Sequence, residues 1–525
     1  MAPAPQQLLT VDALKTHVRE AVALLAASAN PLLYRNHLLA LFLLKRVNDL
    51  FAERRGVIEQ EALHAGRSPE EARAHANDPD EHRWFVPPSA RWENFKTAAE
   101  NLGAQIERAC AEMERHNKNL LGAVLTPLRF EASGAAAEIE PHEALLRSLL
   151  EHFDKLTLGD HALQGPAVVG KAAEFLLEHL ATWGVKKGAS FTSSAALMQL
   201  LAELLRPEPS MRVCDPACGA GGALLACADY LQHRGLSPQT LSLHGQEYDA
   251  GTWALCKMNL LLHDLPDARI ALGSTLSRPL LDDAGSLLQF DLVIAEPPFT
   301  LAEWEHEEAA RVSFGRFEAG LPPPRRGEFA FVQHIAATLN ARGRAAVVVS
   351  HGLLFRGGSE KQIRAALLQP ETDLVEAVIA LPEGVLLGLK APSAVLILNR
   401  NKPEERRERV LFIDAALIAR SARAFQLDEA TRRKLVALYQ GFDERTPLSN
   451  AHAAASASLQ EIAVTHDFNL NVARYVTASH ESHHCDIGQA LAELEELDRQ
   501  KLAADAAMQR MLRQFGYGHD SAKEA

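Results

Sequence analysis

The sequence predicts an α/β protein with a mostly parallel sheet, an N-terminal helical domain before it and a C-terminal helical tail after it. Three observations carry this. Met211 to Leu231 reads as a short strand, a glycine turn and a helix. Apolar runs at 344–350, 374–381 and 394–399 alternate with helical patterns, as in a largely parallel sheet. Ahead of them, the helical pattern from Leu32 to Arg55 carries Leu38, Leu41, Phe42, Leu44, Val47 and Phe51 around most of its circumference, which predicts a buried helix. The expected division is a helical domain at 1–160, the α/β domain at 161–425 and a helical region with a partner-docking helix at 426–525.

A chain of 525 residues exceeds one ordinary core, consistent with two or three domains. The apolar run Leu38 to Leu44 falls far short of the roughly 20 residues a membrane span needs. No secretory signal is visible, so the expected location is the cytoplasm. The six cysteines are scattered, and Cys214 and Cys218 lack the paired partners of a zinc site, so no metal is expected. With 54 Lys and Arg against 67 Asp and Glu the net charge is −13, which argues against a protein that coats nucleic acid non-specifically.

In the glycine turn, Val213 and Cys214 end the strand and Asp215 and Pro216 halt it. Gly219, Gly221 and Gly222 let backbone approach a ligand, and the next helix aims its free amides at the turn. Glycine clusters also close ordinary strand-to-helix turns, so this stretch alone leaves the ligand open. A second strand, Asp291 to Ala295, runs into Glu296-Pro-Pro-Phe299. The residue before a proline is held extended, which places Glu296 at the strand's carboxyl end, where ligands bind in open α/β sheets. Phe299 offers a ring on which a base could stack. Between the two, Ser242 to Glu247 reads as a strand ending in an acid able to accept hydrogen bonds from ribose hydroxyls.

Together these stretches resemble S-adenosylmethionine-dependent amino-methyltransferases of DNA, with their Rossmann-like sheet. The Asp215-Pro-Ala-Cys-Gly-Ala-Gly-Gly222 turn resembles more narrowly the modification subunit of type I restriction-modification systems. Leu43 to Asp49, Val86 to Trp92, Asn119 to Gly122, Gly352 to Arg356, Leu381 to Gly384, Val410 to Asp414, Asp467 to Asn471 and Arg474 to Val476 extend the similarity over most of the chain. The resemblance implies a cofactor site of Phe191, Thr192, Asp215, Ala217, Cys218, Gly219, Gly221, Glu247 and Ser274, and a catalytic motif of Glu296, Pro297, Pro298 and Phe299. It implies S-adenosylmethionine as cofactor and adenine N6 of a flipped base in double-stranded DNA as acceptor. The partners it implies are a DNA-specificity subunit and a restriction subunit, in a hetero-oligomer serving restriction-modification or phage defence. In the family the N-terminal domain helps grip DNA.

The chain departs from that pattern at several points. Ser193 replaces the proline of an aromatic-Thr-Pro segment, Ser274 an aspartate that receives the adenine amino group of the cofactor, Glu296 an asparagine, and Leu389 and Lys390 a Thr-Gly pair. Two functions therefore compete: a working adenine-N6 methyltransferase subunit, and a cofactor- and DNA-binding scaffold impaired at Glu296. Methylation of a protein glutamine amide shares the Pro-Pro-aromatic logic but not the surrounding match. The loop 300–328 offers Arg311, Arg316, Arg325 and Arg326 for phosphate contacts. A heptad seam through Ile487, Ala490, Leu494, Leu497, Lys501, Ala504, Met508, Met511 and Phe515 suggests docking on helices of a partner.

Overall fold

The computed structural model describes residues 8–26, 34–98, 100–130, 143–184, 193–279, 282–283, 285–299, 301, 303–312, 314–386, 391–418, 427–442, 453–476, 498–508 and 510–511. It divides into two units, 1–476 and 477–525. In the second, 498–508 and 510–511 are helical, and the other seam residues lie outside the described ones. No described helix is long and apolar enough to cross a membrane.

The first unit opens with helices, the longer ones being α1 (Val11–Ala26), α2 (Arg35–His64), α3 (Leu102–His116), α4 (Glu143–Asp154), α5 (Val168–Gly184) and α6 (Ala195–Leu205). In α2 every residue from Leu38 to Lys45 is buried, so the helix has apolar neighbours on all sides. Each such leucine or phenylalanine contributes about 1.5–3 kcal/mol by leaving water. Polar residues of the stretches 43–49 and 86–92 are engaged within the protein. Asn48 accepts from the Trp92 backbone N–H at 2.8 Å, and Lys45 pairs with Asp49 at 2.5 Å. Asp49 in turn accepts from the Leu158 N–H at 2.6 Å.

Among the described residues nine strands make the main sheet: β1 (Arg212–Asp215), β2 (Ser242–Glu247), β3 (Arg269–Leu272), β4 (Phe290–Ala295), β5 (Leu339–Ser350), β6 (Val375–Leu381), β7 (Ser393–Asn399), β8 (Arg409–Asp414) and β9 (Ala454–Ser458). Their order is β9-β8-β6-β7-β5-β4-β1-β2-β3. The stretch β5-β4-β1-β2-β3 is parallel throughout, and β6 pairs β8 in parallel. β7 runs antiparallel to β5 and β6, and β9 antiparallel to β8. The sheet is thus mixed and mostly parallel, as expected, while the region from 426 on contributes an edge strand besides helices.

Along β4, Leu292 and Ile294 face one core and Val293 and Ala295 the other, so the strand is covered on both faces. Helices α7 (Gly222–His233) and α9 (Glu328–Thr338) pack in those two cores, and α8 (Ala250–Leu262) lies against β2 and β3. The N-terminal core continues onto α8 through Ala254, Leu255 and Met258. Asn36 clamps the contact by donating to the Gly251 carbonyl at 2.8 Å. Sequence order reverses between β1 and β4, which opens a crevice at their carboxyl ends.

Candidate active site

The register Cys214↔Val293 sets the carboxyl ends of β1 and β4 side by side, bringing Asp215 and the residues after Ala295 to one edge. Asp215 is 3% exposed, and its Oδ1 accepts from the Ala217 N–H at 3.0 Å, which fixes the start of the turn. Gly221 has φ +87°, a left-handed conformation strained for any side chain, and starts α7. Cys218 spends its backbone internally: its N–H donates to the Gln246 carbonyl at 3.1 Å and its carbonyl accepts from Gly221 at 2.7 Å. Its thiol lies against that of Cys256, 3.8 Å away.

Glu247 ends β2 with both oxygens engaged, Oε2 by the Gly219 N–H at 3.0 Å and Oε1 by the Asp249 N–H at 2.9 Å. Each oxygen keeps a lone pair for a further donor. Sequence reading overlooked the neighbours that hold this cradle. A Cβ on Gly245 would lie 3.1 Å from the Cys218 side chain and 3.0 Å from Ile270. Thr275 ties the loop after β3 to the turn by donating to the Pro216 carbonyl at 2.6 Å. Ser274 is buried; its hydroxyl accepts from the Ser277 N–H at 3.3 Å and bonds Glu305, whose carboxylate also takes the Ser277 hydroxyl. Glu305 thus brings a carboxylate to the position where Ser274 lacks one, through a contact 31 residues apart in sequence.

Glu296 follows β4 with Pro297 buried, Pro298 exposed and Phe299 half-buried against the core. Its carboxylate takes a hydrogen bond from the Ser193 hydroxyl, while Oε2 is sealed from solvent with no hydrogen-bond partner. Two departures from the family pattern, at 193 and 296, therefore touch each other. A cavity beside the turn is lined by Ser193, Met198, Gly222, Asn259, Glu174 and Glu178. Phe191, Thr192, Leu389 and Lys390 lie outside the described residues.

The acids perturb one another. Burial, and then repulsion from Glu247 and Glu296, pushes Asp215 up from 3.8 to about 8, against the opposing Ala217 hydrogen bond. Burial raises Glu296 above the usual carboxylate range, opposed by Ser193. Burial likewise raises Glu247, opposed by its backbone donors. The expectation for Arg316 is corrected: it is 3% exposed, and its guanidinium donates to the carbonyls of Thr275, Leu276 and Val312 at 3.0, 2.8 and 2.7 Å. Three acceptors around one fork hold the loop to the β3 end and leave no face for a phosphate. Arg326 remains over half exposed, at 3.5 Å from Glu360.

The model of the N-6 DNA methylase family matches residues 164–484, and that of the HsdM N-terminal domain matches 14–153. The type I restriction enzyme MjaVII methylase subunit of Methanocaldococcus jannaschii is 32% identical over 345 residues, 63% of this chain and 57% of that protein. A second relative from that organism, the MjaVIII methylase subunit, is 30% identical, with 61% of its length matched. The chain thus spans about three fifths of these two relatives. The HindI methylase subunit of Haemophilus influenzae is 28% identical over 81% of this chain and 97% of that protein. In fold, the chain resembles a type I restriction-modification methyltransferase subunit from Streptococcus thermophilus, with a TM-score of 0.73 at 24% identity over 89% of this chain and all of that one. With its glycine turn, its Glu-Pro-Pro-Phe edge and a family match over more than half its length, the chain belongs to the N-6 DNA methylases.

Proposed function

We propose that this chain is the modification subunit of a type I-like restriction-modification system, methylating adenine N6 in double-stranded DNA with S-adenosylmethionine as cofactor. The observation that carries the reading is Glu296: a half-buried side chain at the carboxyl end of β4 whose Oε2 is sealed from solvent and unpartnered, followed by two prolines and a ring. A buried acceptor left unmade is costly, by about 1–3 kcal/mol or more for a charged group, and an incoming amino hydrogen relieves it.

The residues fit the cofactor. Glu247 has lone pairs for two ribose hydroxyls and is oriented by two backbone donors. Ser274 and Glu305 offer acceptor oxygens by the loop after β3. Asp215 and Glu296 place carboxyl groups by the turn, and the bare Cα of Gly221 and Gly245 lets the turn pack closely on Cys256, Cys218 and Ile270. When bound, S-adenosylmethionine supplies an electrophilic methyl group.

This chain's residues do the rest by positioning. Oε2 of Glu296 and the Pro297 carbonyl accept the two amino hydrogens of a flipped adenine, which turns the nitrogen lone pair out of the ring's conjugation. Phe299 stacks on the base. The Ser193 contact favours a working carboxylate over the impaired scaffold, because a hydroxyl stands where the longer acid needs a donor. With a net charge of −13, sequence reading and much of the DNA grip fall to a specificity subunit, docked through the region 477–525, and the N-terminal helices add contacts. A restriction subunit completes the proposed hetero-oligomer, in the cytoplasm.

The test is methyl transfer from labelled S-adenosylmethionine to unmethylated DNA by the chain co-expressed with its specificity partner. Transfer is expected, with a loss of about 100-fold or more in Glu296→Ala. A wild-type complex that binds cofactor and DNA yet transfers nothing contradicts the reading.

A further inference from the structure

Three acids, Asp215, Glu247 and Glu296, end or follow the neighbouring strands β1, β2 and β4 at one edge of the sheet. Asp215 and Glu247 are partly satisfied by the backbone donors of Ala217, Gly219 and Asp249. Glu296 is not: a serine hydroxyl serves its carboxylate and Oε2 is buried with no partner. Among the described residues no Lys or Arg forms an ion pair with any of the three, and all are raised by burial. Carboxyls whose ionisation is opposed by burial and answered by no basic side chain gain from a cation at this edge, which favours their charged form.

We infer that Glu296 reads the charge of the cofactor, favouring the sulfonium form and disfavouring the neutral thioether that remains after transfer. The inference rests on the methyltransferase reading of the site. Transfer breaks the sulfur–methyl bond with its electron pair left on sulfur, forms the nitrogen–methyl bond, and sends the amine's proton to water. The ligand thereby loses its positive charge while the carboxylate stays. Product is then held less firmly than substrate, and exchange for a new cofactor is favoured. An amide at 296 offers the same acceptor oxygen without net charge and lacks this discrimination.

The test is equilibrium binding to the purified full-length chain, by calorimetry, of S-adenosylmethionine, S-adenosylhomocysteine and an analogue with an ammonium group in place of the sulfonium. Wild type is expected to hold both cations at least about tenfold more tightly than the thioether. In Glu296→Gln that preference should fall by about tenfold, through weaker cation binding with the thioether little changed. The ammonium analogue repeats the comparison in unaltered protein, so the result does not depend on how the variant folds. Equal wild-type affinity for charged and neutral ligands, or a Gln variant that weakens all three alike, overturns the inference. Binding of none of them by wild type overturns the methyltransferase reading as well.

Discussion

Ser193 and Glu296 are 103 residues apart in sequence, and each alone reads as a departure from the family pattern. In space one donates to the other, and the pair makes chemical sense that neither has singly. A carboxylate is an acceptor only, so a hydroxyl on one oxygen orients it and leaves the other unpartnered, as the proposed mechanism requires. Glu296 must be ionised to accept both ways. Because its folded pKa is raised, activity is expected to fall as pH drops through that raised value. Ser193 opposes the rise, so Ser193→Ala should move the acid limb of the kcat profile upward, because the ionised form loses a hydrogen bond. KM for cofactor should change less than kcat. An unmoved acid limb shows that Ser193 only fills space. Ser274 and Glu305 repeat the lesson, since a serine in place of an acid looks like a loss until the distant acid is found beside it.

The elements were legible because their signals are local. The glycine turn, the alternating apolar runs and the Pro-Pro motif each lie within a dozen residues and fix strand, turn and helix by backbone sterics and burial. What holds the turn was not legible, because it arrives from other strands. Gly245 on β2 carries no turn signal, yet its missing side chain makes room for Cys218 and Ile270. Arg316 reads as one charge among several in a polar loop, and only tertiary contacts turn it into an internal brace. Gly245→Ala is expected to lower stability by about 1–3 kcal/mol, since a Cβ at 3.0–3.1 Å from its neighbours forces β2 and the turn apart. It should weaken cofactor binding more than tenfold, read by thermal melting and calorimetry together. An affinity loss no larger than that of an Ala substitution elsewhere in β2 contradicts this account of the cradle.

At the scale of the molecule, the order of the strands does the positioning. Placing β1 beside β4 joins two motifs some 80 residues apart, and the reversal between them opens the crevice that both line. The N-terminal helices share a core with α8, so the motifs at 43–49 and 86–92 act first as fasteners of that layer. Their hydrogen bonds were not visible in the sequence, because Asn48 and Trp92 meet only in the fold. In the proposed function the accepting atom is an amino nitrogen aimed by Glu296 and Pro297. The most direct measurement is nucleoside analysis, by chromatography and mass spectrometry, of DNA methylated by the complex with isotopically labelled S-adenosylmethionine. Label is expected in N6-methyldeoxyadenosine alone, absent with Glu296→Ala. Label in a cytosine, in protein, or undiminished in that variant would contradict it.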